Sequence, residues 1–215
     1  MTLSDVYSSL VAVYADWGEL LANPNFVRMG LRIAWGHYTP QRPDEPITRD
    51  AVAAMADSRQ YSFQSTVDGA LIQLSYEFSD PGTLGAASLA YYGVGQLEEE
   101  PVGWLRIDYD PANARGILHS RCHLHISLFP AARFLVHGVP SPRQFIEFIA
   151  SACYPGLYET VRADHSGAFR EEVRVSSVNR PSVPFPEEPS CRYVTHLRVP
   201  GPTPQPVALP PQTRA

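Results

Sequence analysis

The chain has 215 residues, 44% hydrophobic and 18% charged, with a formal net charge of −5 and a pI near 5.8. That length suits one domain with or without appendages, and so few charges argue against a long solvated helix or a disordered chain. The negative balance excludes a coat of positive charge for non-specific nucleic-acid binding, though not a local basic patch.

All seventeen basic residues are arginine. This rules out Schiff-base lysines, a P-loop lysine and lysine general bases. Arginine, alanine and proline enrichment without lysine also suits a GC-rich bacterial genome. The cysteines, Cys122, Cys153 and Cys191, are far apart and form no C-x-x-C pair, which reads as free thiols in a reducing compartment. Met1 to Asp5 lacks the basic and apolar regions of a signal peptide. No apolar run approaches the ~18 residues of a membrane span. The expectation is a cytoplasmic protein without a membrane partner.

In chain order, Ser4 is expected to cap a helix with apolar positions Val6, Leu10, Val13, Tyr14, Trp17 and Leu21. Asn23-Pro24 should close it and open a second helix carrying Phe26, Val27, Leu31 and Ile33. A Pro-rich loop, Thr39 to Pro46, follows, and Thr48 caps a short helix through Val52 and Met55. Strands are expected over 61–67 and 70–78, joined at Asp68-Gly69, a strong hairpin signal. Further strands are expected over 84–92, 102–109 and 117–128, with an acidic loop from Gln96 to Pro101. Ser141 and Gln144 have capping-box spacing with Pro142 at the first helical position, so a helix should run to Tyr154-Pro155-Gly156.

From Pro181 to Ala215, which holds ten of the twenty-one prolines, an extended or disordered tail is predicted, with Tyr193 to Val199 as a short edge strand. The predicted fold is α+β. An antiparallel meander of about five strands has N-terminal helices before it and one helix after it. The expected domain spans 1–180, with a helical part over 1–58, the sheet over 60–136 and the helix over 141–154.

Side chains alternate between the faces of a strand. Between 119 and 128 the even positions, Ser120, Cys122, Leu124, Ile126 and Leu128, are mostly apolar. The odd positions are His119, Arg121, His123, His125 and Ser127. From Pro111 through Ile146 there is no Asp or Glu, yet Arg115, Arg121, Arg133 and Arg143 are present. In the preceding strand Val102, Trp104, Arg106 and Asp108 share a face. A connection folding about Ala112-Asn113 would set Arg106 opposite His119 and Asp108 opposite Ile117, joining the two polar faces. A one-residue slip would separate them.

Such a face suits a phosphodiester of a nucleic acid or nucleotide. Arg121, Arg106 and Arg133 would grip phosphate with forked donors. His125 would transfer the proton, with His123 as a second acid/base or ligand. Ser127, Asp108 and His119 would orient them. His125-Ile126-Ser127 looks like half of a two-histidine phosphoesterase signature. The only partner motif is His37-Tyr38-Thr39, whose flanks are not apolar. A second reading is a divalent metal on His123, His125 and Asp108, a nitrogen and oxygen set without a sequence-local fourth ligand. A third is a structural network meeting water, carboxylates or the C-terminal segment. Trp104 and Tyr91-Tyr92 read as packing, although arginines and aromatics on a sheet can bind single strands. The alternative to an enzyme is an accessory subunit that binds a partner protein by a sheet edge or the Pro-rich tail.

The ordered motifs Ser62-Phe63-Gln64, Ile72 to Phe78, Trp104 to Asp110, His119 to Ile126 and Pro142 to Phe148 carry a resemblance. Together they resemble an uncharacterised family of small bacterial cytoplasmic proteins, classed only as a domain of unknown function. A proline often follows the first histidine in that family, where this chain has Ser120. The resemblance implies a bacterial source and a role beside neighbouring genes on mobile or defence islands. It supplies no activity, cofactor or catalytic residue.

Overall fold

The computed structural model describes residues 1–36, 47–93, 103–115, 119–136, 138–164 and 197–198. Helix α1 (Leu3–Asp16) starts earlier than expected, because Thr2 rather than Ser4 is its cap. The Thr2 hydroxyl accepts from the Asp5 amide at 3.2 Å, and the Asp5 carboxylate accepts from the Thr2 amide at 2.9 Å, a reciprocal pair that satisfies otherwise orphaned donors. The helix ends at Asp16 although Trp17 and Leu21 remain fully buried. Both continue the apolar spacing, which is why that spacing runs past the helix.

The predicted second helix does not form. The chain instead makes β1 (Leu21–Ala22), β2 (Val27–Met29) and β3 (Arg32–Ala34). Asn23 sits in the left-handed region with φ 50°, whereas a helix cap is extended. Gly30, at φ 58°, turns β2 into β3. Arg32 and Ile33 then pair with Glu77 and Tyr76. Tertiary pairing along that edge outweighs a helical spacing of few apolar residues. Helix α2 (Arg49–Asp57) forms as predicted, capped by Thr48 and burying Val52 and Met55.

The meander comprises β4 (Phe63–Ser65), β5 (Leu71–Asp80), β6 (Thr83–Tyr92), β7 (Trp104–Tyr109), β8 (Cys122–Ile126) and β9 (Phe129–Leu135). Asp68-Gly69 lies in the β4–β5 connection, with Gly69 at φ 76°, but β4 ends at Ser65 and β5 begins at Leu71, so the link is longer than the expected two residues. The strand expected over 117–128 is shorter, and Ser127-Leu128 turns the chain into β9, which alternation did not reveal. With β10 (Leu197–Arg198) on β9, the described residues form a ten-stranded antiparallel sheet in the order β1-β4-β5-β6-β7-β8-β9-β10, and β2–β3 attach to β5. The α+β class with an antiparallel meander therefore holds, with more strands than the predicted five.

Helix α3 (Pro142–Cys153) has the predicted capping box. Helical structure does not end there. Tyr154 breaks the geometry at φ −134° and ψ 56°, and Pro155, whose ring presets a helical φ, opens α4 (Pro155–Asp164). The predicted loops at 39–46 and 96–101, His37-Tyr38-Thr39, Ile117 and nearly all of the tail lie outside the described residues. Among the described residues, no helix is long and apolar enough to cross a membrane.

The core lies on both faces of the sheet. On one face Leu10, Val13, Phe145, Ile146 and Ile149 of α1 and α3 pack with Leu74, Leu89 and Ile107. On the other, Val52 and Met55 of α2 meet Leu71, Ala90, Tyr92 and Trp104. Helix α2 thus covers the end of that face where Leu71, Tyr92 and Trp104 lie. Farther along the same strands the side chains become polar.

The caps give a direct test. Thr2→Ala should lower unfolding stability by about 1 kcal/mol. Ser4→Ala should be neutral or slightly stabilising, since Ser4 is an exposed helical position. Urea denaturation of both variants separates the two; an equal loss would contradict the Thr2 cap.

Candidate functional site

The β7–β8 register decides what meets on the polar face. The sequence expectation set Arg106 opposite His119 and Asp108 opposite Ile117. In the structure Arg106 pairs with His125 and Asp108 with His123, a slide of six residues (119 to 125, and 117 to 123). The connection takes up that length. A 3-10 turn at Pro111–Asn113 is capped by Asp110, whose carboxylate accepts from the Asn113 amide at 3.2 Å and side chain at 2.8 Å. Beyond it the Arg115 amide donates to His119 O and the Asp110 amide to Arg121 O, each at 2.8 Å. Because the slide is even, every side chain keeps its face. The polar faces still meet, through different partners.

Two rows cross the sheet in register. One is Ser75, Ser88, Asp108, His123; the other is Gln73, Ala90, Arg106, His125. Asp108, His123 and His125 are 5%, 2% and 7% exposed. A carboxylate so buried needs compensation. Ser88 donates to Asp108 Oδ1 at 2.9 Å and Arg106 Nε to Oδ2 at 2.8 Å. His125 Nε2 lies 3.7 Å from the same Oδ2, and Arg106 also stands over the Trp104 ring at 5.7 Å.

The histidine rings form a ladder. His119 meets His123 edge-on at 4.7 Å between centroids, and His123 meets His125 at 4.8 Å. His123 Nδ1 lies 2.9 Å from Ser120 O. A carbonyl can only accept, so Nδ1 carries the proton and Nε2 keeps its lone pair. His119 Nδ1 is buried with no hydrogen-bond partner among the described residues.

Burial depresses both paired imidazoles. It holds His125 down at about 4, aided by the positive charges of Arg106 and Arg133, while Asp108 opposes the shift. His123 is lowered for the same first reason, against the Ser120 carbonyl bond and Asp108, which favour its charged form. At neutral pH the site therefore presents two uncharged nitrogen ligands or bases beside a carboxylate. On the opposite face Cys122 is a buried core thiol pushed up to about 12 by burial and then by Asp108.

Arg133 is exposed on β9, with its charge acting on both histidines. Arg121 precedes β8 and is exposed, so alternation does not carry it onto the histidine face. Ser127 is corrected more sharply. It occupies the β8–β9 turn, its amide donates to Trp104 O at 2.8 Å, and it lines a cleft of about 600 Å³ with Leu105, Ile126 and Tyr154. Arg143, from the acid-free segment, pairs with Asp16 at 3.2 Å and Glu147 at 3.5 Å and belongs to the helical layer. Ser88 and Ser75 were missed. Their only signal was a polar residue at alternate positions of a strand, which acquires meaning once register is known.

Residues 94–190 match a family model described as an uncharacterized conserved protein (DUF2290). The expected resemblance to a domain of unknown function is thus borne out, and the match contains Arg106, Asp108, His119, His123, His125 and Arg133. No curated protein and no solved structure matches the chain.

The depressed imidazoles make stability depend on pH in a defined window. Above about pH 7, His125 is neutral in both the folded and unfolded chain. As pH falls through ~6.5 the unfolded chain binds a proton that the folded chain refuses, so stability drops. The drop levels off once folded His125 protonates near 4. Chelator-treated protein unfolded in urea at a series of pH values should lose stability between about pH 7 and 5. His125→Gln should flatten that slope; an unchanged slope in the variant counts against the buried neutral imidazole.

Proposed function

We propose that this polar row binds and processes a phosphodiester of a nucleic acid or nucleotide. The observation that carries the reading is the contact chain Arg106–Asp108–His125 across β7 and β8, with His123 in register beside Asp108. Arg106 commits Nε to Asp108, and the terminal nitrogens of its planar fork are the donors offered to phosphate. Arg133 supplies a second, exposed cation from β9. His123 and His125 supply neutral lone pairs that accept a proton or a cation at the reacting phosphate. Asp108 orients His125 and balances Arg106. Neither Arg121 nor Ser127 has a role in this reading. Free thiols at Cys122 and Cys153 suit the reducing bacterial cytoplasm, and activity on nucleic acid suits a defence or mobile-element setting.

Fluorescence anisotropy with labelled single-stranded oligonucleotides and dinucleotides tests the reading. Arg133→Ala should weaken binding by about tenfold or more, the loss of a charge-assisted contact, and should flatten the salt dependence. His125→Gln should remove turnover and leave binding intact. If the full panel shows no binding and no turnover, while the product of a neighbouring gene co-purifies with the chain, the accessory-subunit alternative replaces this one.

A further inference from the structure

We infer that Asp108, His123 and His125 form a binding site for one divalent transition-metal ion, with His119 beside it. This deepens the phosphodiester reading by naming what the cluster holds, and it rests on that reading only for its purpose. One ligand atom from each of the three residues lies within 4.8 Å of the other two, and all three residues are buried. Nitrogen and oxygen ligands hold such an ion at about 2.0–2.2 Å, which sets neighbouring ligand atoms roughly 3–3.5 Å apart. His125 Nε2 and Asp108 Oδ2 stand at 3.7 Å, near that spacing, and an ion would draw in the ligand atom of His123, which lies within 4.8 Å of both partners.

The surrounding groups are arranged as they are around protein metal ligands. His123 Nδ1 donates to Ser120 O, which fixes the tautomer and leaves Nε2 for the ion. Metal-bound histidines usually have their other nitrogen anchored in this way. Asp108 is held by Ser88 through one oxygen and Arg106 through the other, as ligating carboxylates are themselves hydrogen-bonded. The Arg106 guanidinium offsets part of the carboxylate charge, which lowers affinity for a cation.

His119 is the independent observation. Its Nδ1 is buried without a partner among the described residues, and its ring touches that of His123. A water on the open side of a three-ligand ion would give that nitrogen a partner. Two imidazoles and one carboxylate select zinc, iron, manganese, cobalt or nickel; a softer thiolate set would select Cu(I). An open coordination position in such a site is also where a phosphate oxygen binds.

The full-length chain, carrying no polyhistidine tag, is stripped with chelator and titrated separately with Zn²⁺ and Co²⁺. We expect about one ion per chain by elemental analysis after dialysis. Co²⁺ should give visible absorption bands, and Zn²⁺ should raise the melting temperature. His123→Gln and His125→Gln should each weaken Zn²⁺ binding at least tenfold, since losing even a group that anchors a ligand costs about tenfold or more. Circular dichroism confirms that the variants fold, and Ser4→Ala, on the exposed face of α1, serves as a folded control that retains the metal. Less than one tenth of an ion per chain, or equal binding by the histidine variants, overturns the inference. Oligonucleotide binding is measured on the same metal-free and loaded samples. Metal bound without oligonucleotide binding sustains this site and removes the phosphodiester reading. Oligonucleotide bound with no metal does the reverse.

Discussion

A carboxylate withdrawn from water is costly unless positive or hydrogen-bonding groups surround it, and Asp108 is withdrawn almost completely. Its neighbours come from three consecutive strands: Ser88 from β6, Arg106 from β7 and His125 from β8. The polar rows depend on this one residue. Without it Arg106 would be a partly buried cation beside two imidazoles that already resist protonation. With it, positive and neutral groups share a small volume on an otherwise apolar sheet.

The two faces of the sheet carry separate tasks. The face under α1 and α3 is packed with aliphatic and aromatic residues from every strand of the meander's centre. It sets strand spacing and keeps the register from sliding. The other face is shared. Helix α2 covers its apolar end at Leu71, Tyr92 and Trp104, and the rest bears the serines, Asp108 and the histidines. Trp104 stands at the boundary, packed in the α2 cluster while its ring lies under Arg106.

The chemistry offered by the rows follows from desolvation as much as from residue type. An exposed pair of histidines would be partly protonated near neutral pH. Here burial and the adjacent arginines keep both imidazoles neutral, which favours proton or metal acceptance over proton donation. The family match begins before β7 and runs beyond α4, so both strands that carry the cluster lie inside it. Ser75 and Ser88, which extend the row across β5 and β6, lie outside it.

Alternation alone separated His123 and His125 from Cys122 and Leu124, and Arg106 and Asp108 from Leu105 and Ile107, because side-chain parity along a strand is a local property. Capping chemistry was local too, and it placed α2 and α3 from Thr48 and from Ser141 with Gln144. The partner of each polar residue was not local. The six-residue slide of β8 depended on how Asp110 and the turn after it stored chain length, and it was invisible to patterning because an even slide preserves parity. Ser127 left the face because the strand turned two residues earlier than its alternation implied, at Ile126 rather than Leu128. The helix expected after Asn23 became a hairpin because β5 offered an edge to pair with. Sequence by itself therefore determined which residues could share a face, and only the tertiary structure decided which of them touch, since contact across a sheet is set by register and by the length of the connections.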